Sequence, residues 1–356
     1  MPHVLDLAEC SRVSLDEIGG KARGLGRLLE QSLEVPPGFV VTTGAYREWM
    51  RANGFDGQIE RLLARADGVT ALQDVADDAL RLLEGAELES SEIDVAYRRL
   101  PGGPSVPVAI RSSAIDEDAA GASFAGAQDT HLSITGHREV RRHIVRCWAS
   151  LFTPAAISYR RRLGLDHRGH AMAVVVQRMV AAEAAGVMFS LDPLSGDPSQ
   201  ITVESTFGLG GALVSGDVTP DRFSVDKVTL EIRSRVISVK PFADRIVDGE
   251  VSRVELDSRR AEMSSLADDE VLALARVAKA AERQMDRAID MEWALGPGPS
   301  GRRHLYLLQA RPETVWSNTP RSTDPPETPR ASTSSAMSRI AFGMRQNTNR
   351  HPETET

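Results

Sequence analysis

The sequence predicts a mixed α/β protein, and three observations carry that expectation. Val106, Val108 and Ile110 alternate, as one face of a strand requires, and run into Arg111. Residues 173–176 (AVVV) form a continuous apolar run, the pattern of a strand buried on both faces. Residues 268–288 open on acidic side chains and carry Val271, Leu274, Ala275, Ala278, Ala281 and Met285 at helical spacing.

Taken in order, Ala22, Leu25, Leu28, Leu29 and Leu33 predict a short helix after Gly19-Gly20. The strand into Arg111 and the run at 173–176 come next. Further strands are expected at 186–190, 201–205 and 222–226. The long helix at 268–288 is followed by strands at 290–295 and 304–311, joined by GPGPSG, a turn-rich hairpin loop. Residues 192–200 (DPLSGDPSQ) are rich in Pro, Gly, Ser and Asp and suggest a boundary between two unequal lobes. The expected division is 1–190, 191–315 and a tail, 316–356. From residue 317 the chain is rich in Ser, Thr and Pro, and it cannot bury enough surface to offset its ordering entropy, so it is expected to be disordered. No internal repeat is visible.

Composition narrows the function. The formal net charge of -8 argues against binding nucleic acid or an anionic membrane. No apolar run approaches the roughly 20 residues of a membrane span. The opening MPHVLDLAEC lacks a basic-then-apolar leader pattern. Cys10 and Cys147 show no metal-ligand spacing and suit a reducing, cytoplasmic setting. The eight histidines show no H-E-x-x-H or similar pattern and read as structural or surface residues.

Four stretches hold candidate chemistry. In GGKARGLG (19–26), Lys21 and Arg23 stand in the first turn of a helix, where the macrodipole opposes cations. A bound anion reconciles them, and solvated surface cations remain the alternative. Arg111-Ser112-Ser113 ends a strand before a loop of Ala, Gly and Ser with its returning edge at Gly126 to Thr130. Such a loop suits either a phosphate cradle or a mobile surface. In the terminal hairpin, Asp290 and Glu292 share one strand face, and Gln309 and Arg311 share one face of the partner strand. In-register pairing collects two carboxylates, an amide and a guanidinium, an inventory for Mg²⁺ plus phosphate or for a cross-strand salt bridge. Leu305 and Leu307 are expected on the face of Gln309 and Arg311, which makes that face partly buried. The fourth stretch, ESTFGLGGALVSGDVTPD (204–221), misses G-x-G-x-x-G and reads as a glycine-rich turn.

Seven co-linear blocks together resemble the nucleotide-binding domain of phosphoenolpyruvate synthase, pyruvate phosphate dikinase and rifampicin phosphotransferase. They are GGKARGLG, VPPGFVVTTGAY, VAIRSSAIDEDAAGASFAGAQDT, CWASLFTPAAISYR, VVVQRMVAAEAAGVMFSLDP, ESTFGLGGALVSGDVTPDRF, and DMEWAL with LYLLQARPET. The resemblance implies a bilobal ATP-grasp fold that clamps ATP and Mg²⁺ between two α/β lobes. It implies Lys21 and Arg111 on the phosphates, and Gly126 and Thr130 in a small-residue phosphate loop. It implies Gln177 at the adenine edge, Glu292 and Gln309 on Mg²⁺ and nucleotide, and Asp290 as a further metal contact. Arg311 is expected to neutralise the transferring phosphoryl group, so Lys21, Arg111 and Arg311 are the expected catalytic cations. Two departures stand out. Gly211 occupies a position where the family usually has Glu. No T-S-H-A-like phosphocarrier setting occurs, so the expected partner is a separately encoded phosphohistidine-domain protein, with a small-molecule acceptor beyond it.

Overall fold

The computed structural model describes residues 2–65, 69–114, 130–166, 169–298, 301–313 and 316. The expected tail, apart from Trp316, and Gly126 with most of its loop lie outside the described residues. The strands are β1 (Val4–Asp6), β2 (Gly38–Val41), β3 (Val108–Ala114), β4 (Thr130–Ile134), β5 (Met172–Arg178), β6 (Ala184–Phe189), β7 (Gln200–Phe207), β8 (Asp221–Asp226), β9 (Ile232–Val236), β10 (Phe242–Val247), β11 (Glu250–Glu255), β12 (Ile289–Pro297) and β13 (Arg303–Pro312). The helices are α1 (Leu15–Glu30), α2 (Thr43–Ala52), α3 (Phe55–Leu63), α4 (Val69–Glu84), α5 (Ser91–Arg99), α6 (His137–Ala149), α7 (Pro154–Arg162), α8 (Gly211–Ser215), α9 (Ser258–Glu262) and α10 (Asp268–Met285).

The first sheet runs β1-β2-β5-β3-β4, with antiparallel neighbours. Its centre, β5, holds the AVVV run, and both faces of that run are covered. Val174 and Val176 face a core of Tyr46, Trp49 and Trp148 from α2 and α6. Ala173 and Val175 face Ile18, Leu25 and Leu28 of α1. Burying one such valine contributes roughly 1.5–3 kcal/mol, which is why an uninterrupted apolar run becomes the central strand.

The second sheet runs β13-β12-β6-β7-β8-β9, again with antiparallel neighbours. Helix α10 covers one face with Val271, Leu274, Ala275, Ala278 and Ala281, the apolar stripe legible in the sequence. The helix ends at Asp286, which adopts the left-handed conformation with φ 52°. The same core cluster contains the α1 leucines and Ala173 and Val175 of the first sheet, so α1 is packed by both sheets. The chain passes from the first sheet to the second between β5 and β6. Residues 192–200 join β6 to β7 inside the second sheet. A separate two-stranded ribbon, β10–β11, packs on this body and buries Ala243 and Asp244.

One buried ionic cluster pins the second sheet. Lys240 Nζ lies 2.5 Å from Asp221 Oδ1, and both side chains are wholly buried. Asp221 Oδ2 also accepts from the Ser265 backbone N–H and hydroxyl. A buried ion pair persists when its remaining lone pairs are met in this way.

Candidate functional site

Helix α1 is two helical segments divided at Gly19, whose φ is +72° and ψ 174°. Ser113 Oγ, at the end of β3, closes the break. It accepts from the Ala22 N–H at 3.2 Å and donates to the Ile18 carbonyl at 2.7 Å. The helix therefore restarts after Gly19, and Lys21 stands in the new first turn, 6% exposed. A Cβ on Gly19 would lie 2.2 Å from the Ser113 carbonyl oxygen, so glycine is required by both space and φ. One turn on, a Cβ on Gly24 would lie 2.4 Å from the Ala310 carbonyl oxygen. The glycines of GGKARGLG thus let α1 lie against the ends of β3 and β13.

The terminal hairpin pairs as the alternation predicts: Glu292 opposes Gln309, and Asp290 opposes Arg311. The expected face of the leucines is corrected by a bulge. Trp293 opposes Leu307, which leaves Leu308 as an extra residue between the two registers. An extra residue inverts the facing of everything beyond it. Leu305 and Leu307 accordingly join Trp293 and Leu295 in the α10 core, while Gln309 and Arg311 share the opposite face with Glu292 and Asp290. The bulge has a second consequence. The Leu308 carbonyl accepts from Arg111 Nη1 at 3.0 Å.

Arg111 arrives from β3, with 8% of its surface exposed. Its Nη2 donates to Glu292 Oε2 at 3.1 Å, linking the first sheet to the second. Arg311 Nε donates to Asp290 Oδ2 at 2.8 Å. Several buried side-chain polar atoms of the described residues make no hydrogen bond, and Arg111 Nε and Gln309 Oε1 are two of them. An unmet buried donor or acceptor costs about 1–3 kcal/mol, so the arrangement calls for a ligand carrying the complementary groups.

A pocket open to solvent lies between the two sheets. Ala109, Arg111, Thr130, Leu132 and Gln177 wall it from the first sheet. Ala185, Gly186, Val187, Glu292, Trp293, Ala294 and Leu308 wall it from the second. Residues 178–180 and Ala182, on the connection between sheets, form its back, and Leu209, Gly210, Gly211 and Val214 form its rim. A mostly apolar cleft with a few convergent polar groups is the usual form of a small-molecule site.

Four expected site residues therefore line one pocket: Arg111, Thr130, Gln177 and Glu292. Gln309 stands opposite Glu292 in the register, and Asp290 and Arg311 form the next pair along the same face. Lys21, on α1, is not among the residues that line this pocket. Gln177 is buried and donates its Nε2 to the Pro36 carbonyl at 3.1 Å, so its amide nitrogen braces β5 against the segment before β2. Sequence reasoning missed Met179, Val180, Leu209 and Trp293, because an apolar pocket wall reads as core in a sequence. The signal that marks them is position: each adjoins a polar or glycine motif.

Glu204 lies across from the pocket residue Val187 in the register. It pairs with Arg222 at 2.9 Å, while burial pushes its pKa up against that pairing. His131, between the pocket residues Thr130 and Leu132, packs edge-on against His143 with ring centroids 4.8 Å apart. Burial, helped by the charges of His143 and Arg146, lowers its pKa to about 3. Among the described residues there is no group of three or more His, Cys, Asp or Glu placed to hold a metal. Glu292 and the unmet Gln309 Oε1 nevertheless supply adjacent hard oxygens. That fits Mg²⁺, which keeps waters and takes phosphate oxygens in place of a full protein cage.

Two α/β layers closing on a polar-edged pocket define an ATP-grasp-like protein. The family described as pyruvate phosphate dikinase, AMP/ATP-binding domain, matches residues 15–331, and the chain belongs to it. It is 39% identical to a probable phosphoenolpyruvate synthase of Methanocaldococcus jannaschii, over 88% of this chain and 27% of that protein. It is likewise 39% identical to the phosphoenolpyruvate synthase of Aeropyrum pernix, over 88% of this chain and 42% of that protein. The rifampicin phosphotransferase of Streptomyces sviceus is 38% identical over 90% of this chain and 37% of its own length. The chain thus spans well under half the length of these relatives. Among the described residues no helix is long and apolar enough to cross a membrane.

Proposed function

We propose that the chain is the ATP-binding component of a phosphotransferase resembling phosphoenolpyruvate synthase. It binds Mg-ATP between the two sheets, which we take as its two lobes. In the overall reaction ATP and water give AMP, phosphate and one phosphoryl group passed on. A histidine on a partner domain receives that group and hands it to pyruvate or another hydroxyl acceptor. The observation that carries the reading is that Arg111 Nε and Gln309 Oε1, buried and without a hydrogen-bond partner, stand beside the pocket between the two sheets.

In this reading the protein's own work is positioning and charge neutralisation, the two needs of phosphoryl transfer. Lys21, at the restarted helix, and Arg111 hold the phosphates. Gly126 and Thr130 belong to the small-residue loop that covers them, and Gln177 sits at the adenine edge. Glu292 and Gln309 hold Mg²⁺, with Asp290 as a further contact. The ion supplies a Lewis acid that neutralises phosphate charge. Asp290 also orients Arg311, whose guanidinium faces the transferring phosphoryl group. A cytoplasmic setting accords with two buried cysteines that form no disulfide.

The test is incubation with ATP labelled at the β-phosphorus, with and without a candidate histidine-domain protein. Label on the partner's histidine, with AMP as co-product, is the expected result. AMP formed from the lone chain with a small hydroxyl compound points to direct phosphorylation. Gly211 at the pocket rim favours one other reading, a nucleotide-binding protein without turnover. Binding of Mg-ATP without AMP in any arm selects that reading.

A further inference from the structure

Arg253 lies on β11, outside every stretch with expected chemistry. Its Nε donates to Asp244 Oδ1 at 3.1 Å, and its Nη2 donates to Asp217 Oδ2 at 2.8 Å. The guanidinium carbon stands 3.8 Å from the centre of the Phe242 ring. The two carboxylates bracket one segment. At its start, Gly208 bridges Asp244, and the Leu209 N–H donates to the Asp244 carbonyl at 2.7 Å. At its end, the Asp217 N–H donates to the Ala212 carbonyl at 3.0 Å, just past the αL cap at Gly216. Between those ends lies the pocket rim formed by Leu209, Gly210, Gly211 and Val214. The glycines make this backbone costly to order, so its position has to be imposed from outside.

The same ribbon reaches the opposite wall. At its tip the Gly249 carbonyl accepts from Ser133 Oγ at 2.6 Å. Ser133 belongs to β4, whose Thr130 and Leu132 line the first-sheet side of the pocket.

We propose that Arg253 is a positioning residue for the pocket. Through Asp244 and Asp217 it fixes segment 208–217, and the β10–β11 ribbon relates that segment to β4. An isolated exposed ion pair would contribute little, and the Arg253 and Asp217 side chains are 48% and 47% exposed. The difference here is that one planar fork joins Asp217, at the end of the segment, to Asp244, its cross-strand partner on β10, and Asp244 is buried. The consequence for nucleotide affinity rests on the function proposed above; the positioning itself does not.

The experiment is backbone hydrogen exchange of the full chain without nucleotide, for wild type, Arg253→Ala and Arg253→Lys, followed by Mg-ATP titration of each. In Arg253→Ala, amides in 208–217 exchange about tenfold faster while those of α10 are unchanged, as a local opening requires. Arg253→Lys recovers only part of the protection, because one ammonium cannot serve both carboxylates in fork geometry. The Mg-ATP dissociation constant rises about tenfold in Arg253→Ala. Unchanged exchange in 208–217, or an equal rise in α10, overturns the positioning role. Wild type that binds no ATP overturns the proposed function and leaves the exchange result to be judged on its own.

Discussion

Arg111 and Glu292 meet where the two sheets meet, Nη2 3.1 Å from Oε2, from strands 181 positions apart in the chain. The pair sets a cation from one pocket wall against a carboxylate from the other. Glu292→Gln keeps the shape and removes the charge. Mg-ATP affinity is expected to fall about tenfold or more, which is about 1.4 kcal/mol or more, while the melting temperature of the unliganded chain changes little. Calorimetric titration alongside a thermal melt checks this. A large loss of stability with unchanged affinity would make the pair purely structural.

Gly19→Ala strikes the helix break directly. The φ of +72° and the 2.2 Å approach to the Ser113 carbonyl leave no room for a Cβ. A cost on the order of 1–3 kcal/mol is expected from backbone strain alone, more if Ser113 is displaced. Because Lys21 stands two residues on, Mg-ATP affinity should fall as well. Denaturant unfolding and titration on the same variant separate the two effects.

His131 gives a pH dependence of stability. Its folded pKa, about 3, lies below the unfolded value near 6.5. Between those values the unfolded chain binds the extra proton, so stability falls as pH drops through that window. His143 is lowered in the same direction by burial and adds to the effect. The groups facing the His131 ring are His143, itself hydrogen-bonded to the Glu139 carbonyl, and Arg146. His131→Phe keeps an aromatic ring without the titrating nitrogen. Its melting temperature should fall less than wild type between pH 7 and 5. Parallel curves for the two proteins would remove His131 from the explanation.

Gly211→Glu places a carboxylate at the position where the family resemblance leads one to expect it. The position opens α8 at the pocket rim, where a carboxylate is compatible with the helix N-terminus. Tighter Mg²⁺ dependence and faster AMP formation are expected, read by magnesium titration of turnover. No gain in either would show that the chain makes no use of a carboxylate at this rim.

Much of this architecture is legible in the residues. The AVVV run became the central strand because both of its faces are covered, and the 268–288 stripe became α10 because one of its faces is covered. Alternation groups Asp290 with Glu292 and Gln309 with Arg311, and the register then sets Glu292 opposite Gln309 and Asp290 opposite Arg311. What alternation cannot show is the bulge at Leu308, since an inserted residue leaves no mark in a two-residue period and yet decides which face is buried. The β10–β11 ribbon was also missed. Only Ala243 and Asp244 of its residues are buried, so Phe242–Val247 and Glu250–Glu255 carry little apolar pattern. Met179, Leu209 and Trp293 failed for the converse reason: a pocket wall and a core have the same composition.

The most direct measurement is a crystal structure with a non-hydrolysable ATP analogue and Mn²⁺, whose anomalous signal locates the metal. Nucleotide between β3, β5 and β12, phosphate within hydrogen-bonding distance of Arg111 Nε, and metal on Glu292 and Gln309 Oε1 is the expected result. Nucleotide bound elsewhere, or a metal held without either residue, would contradict the site assembled by these two sheets.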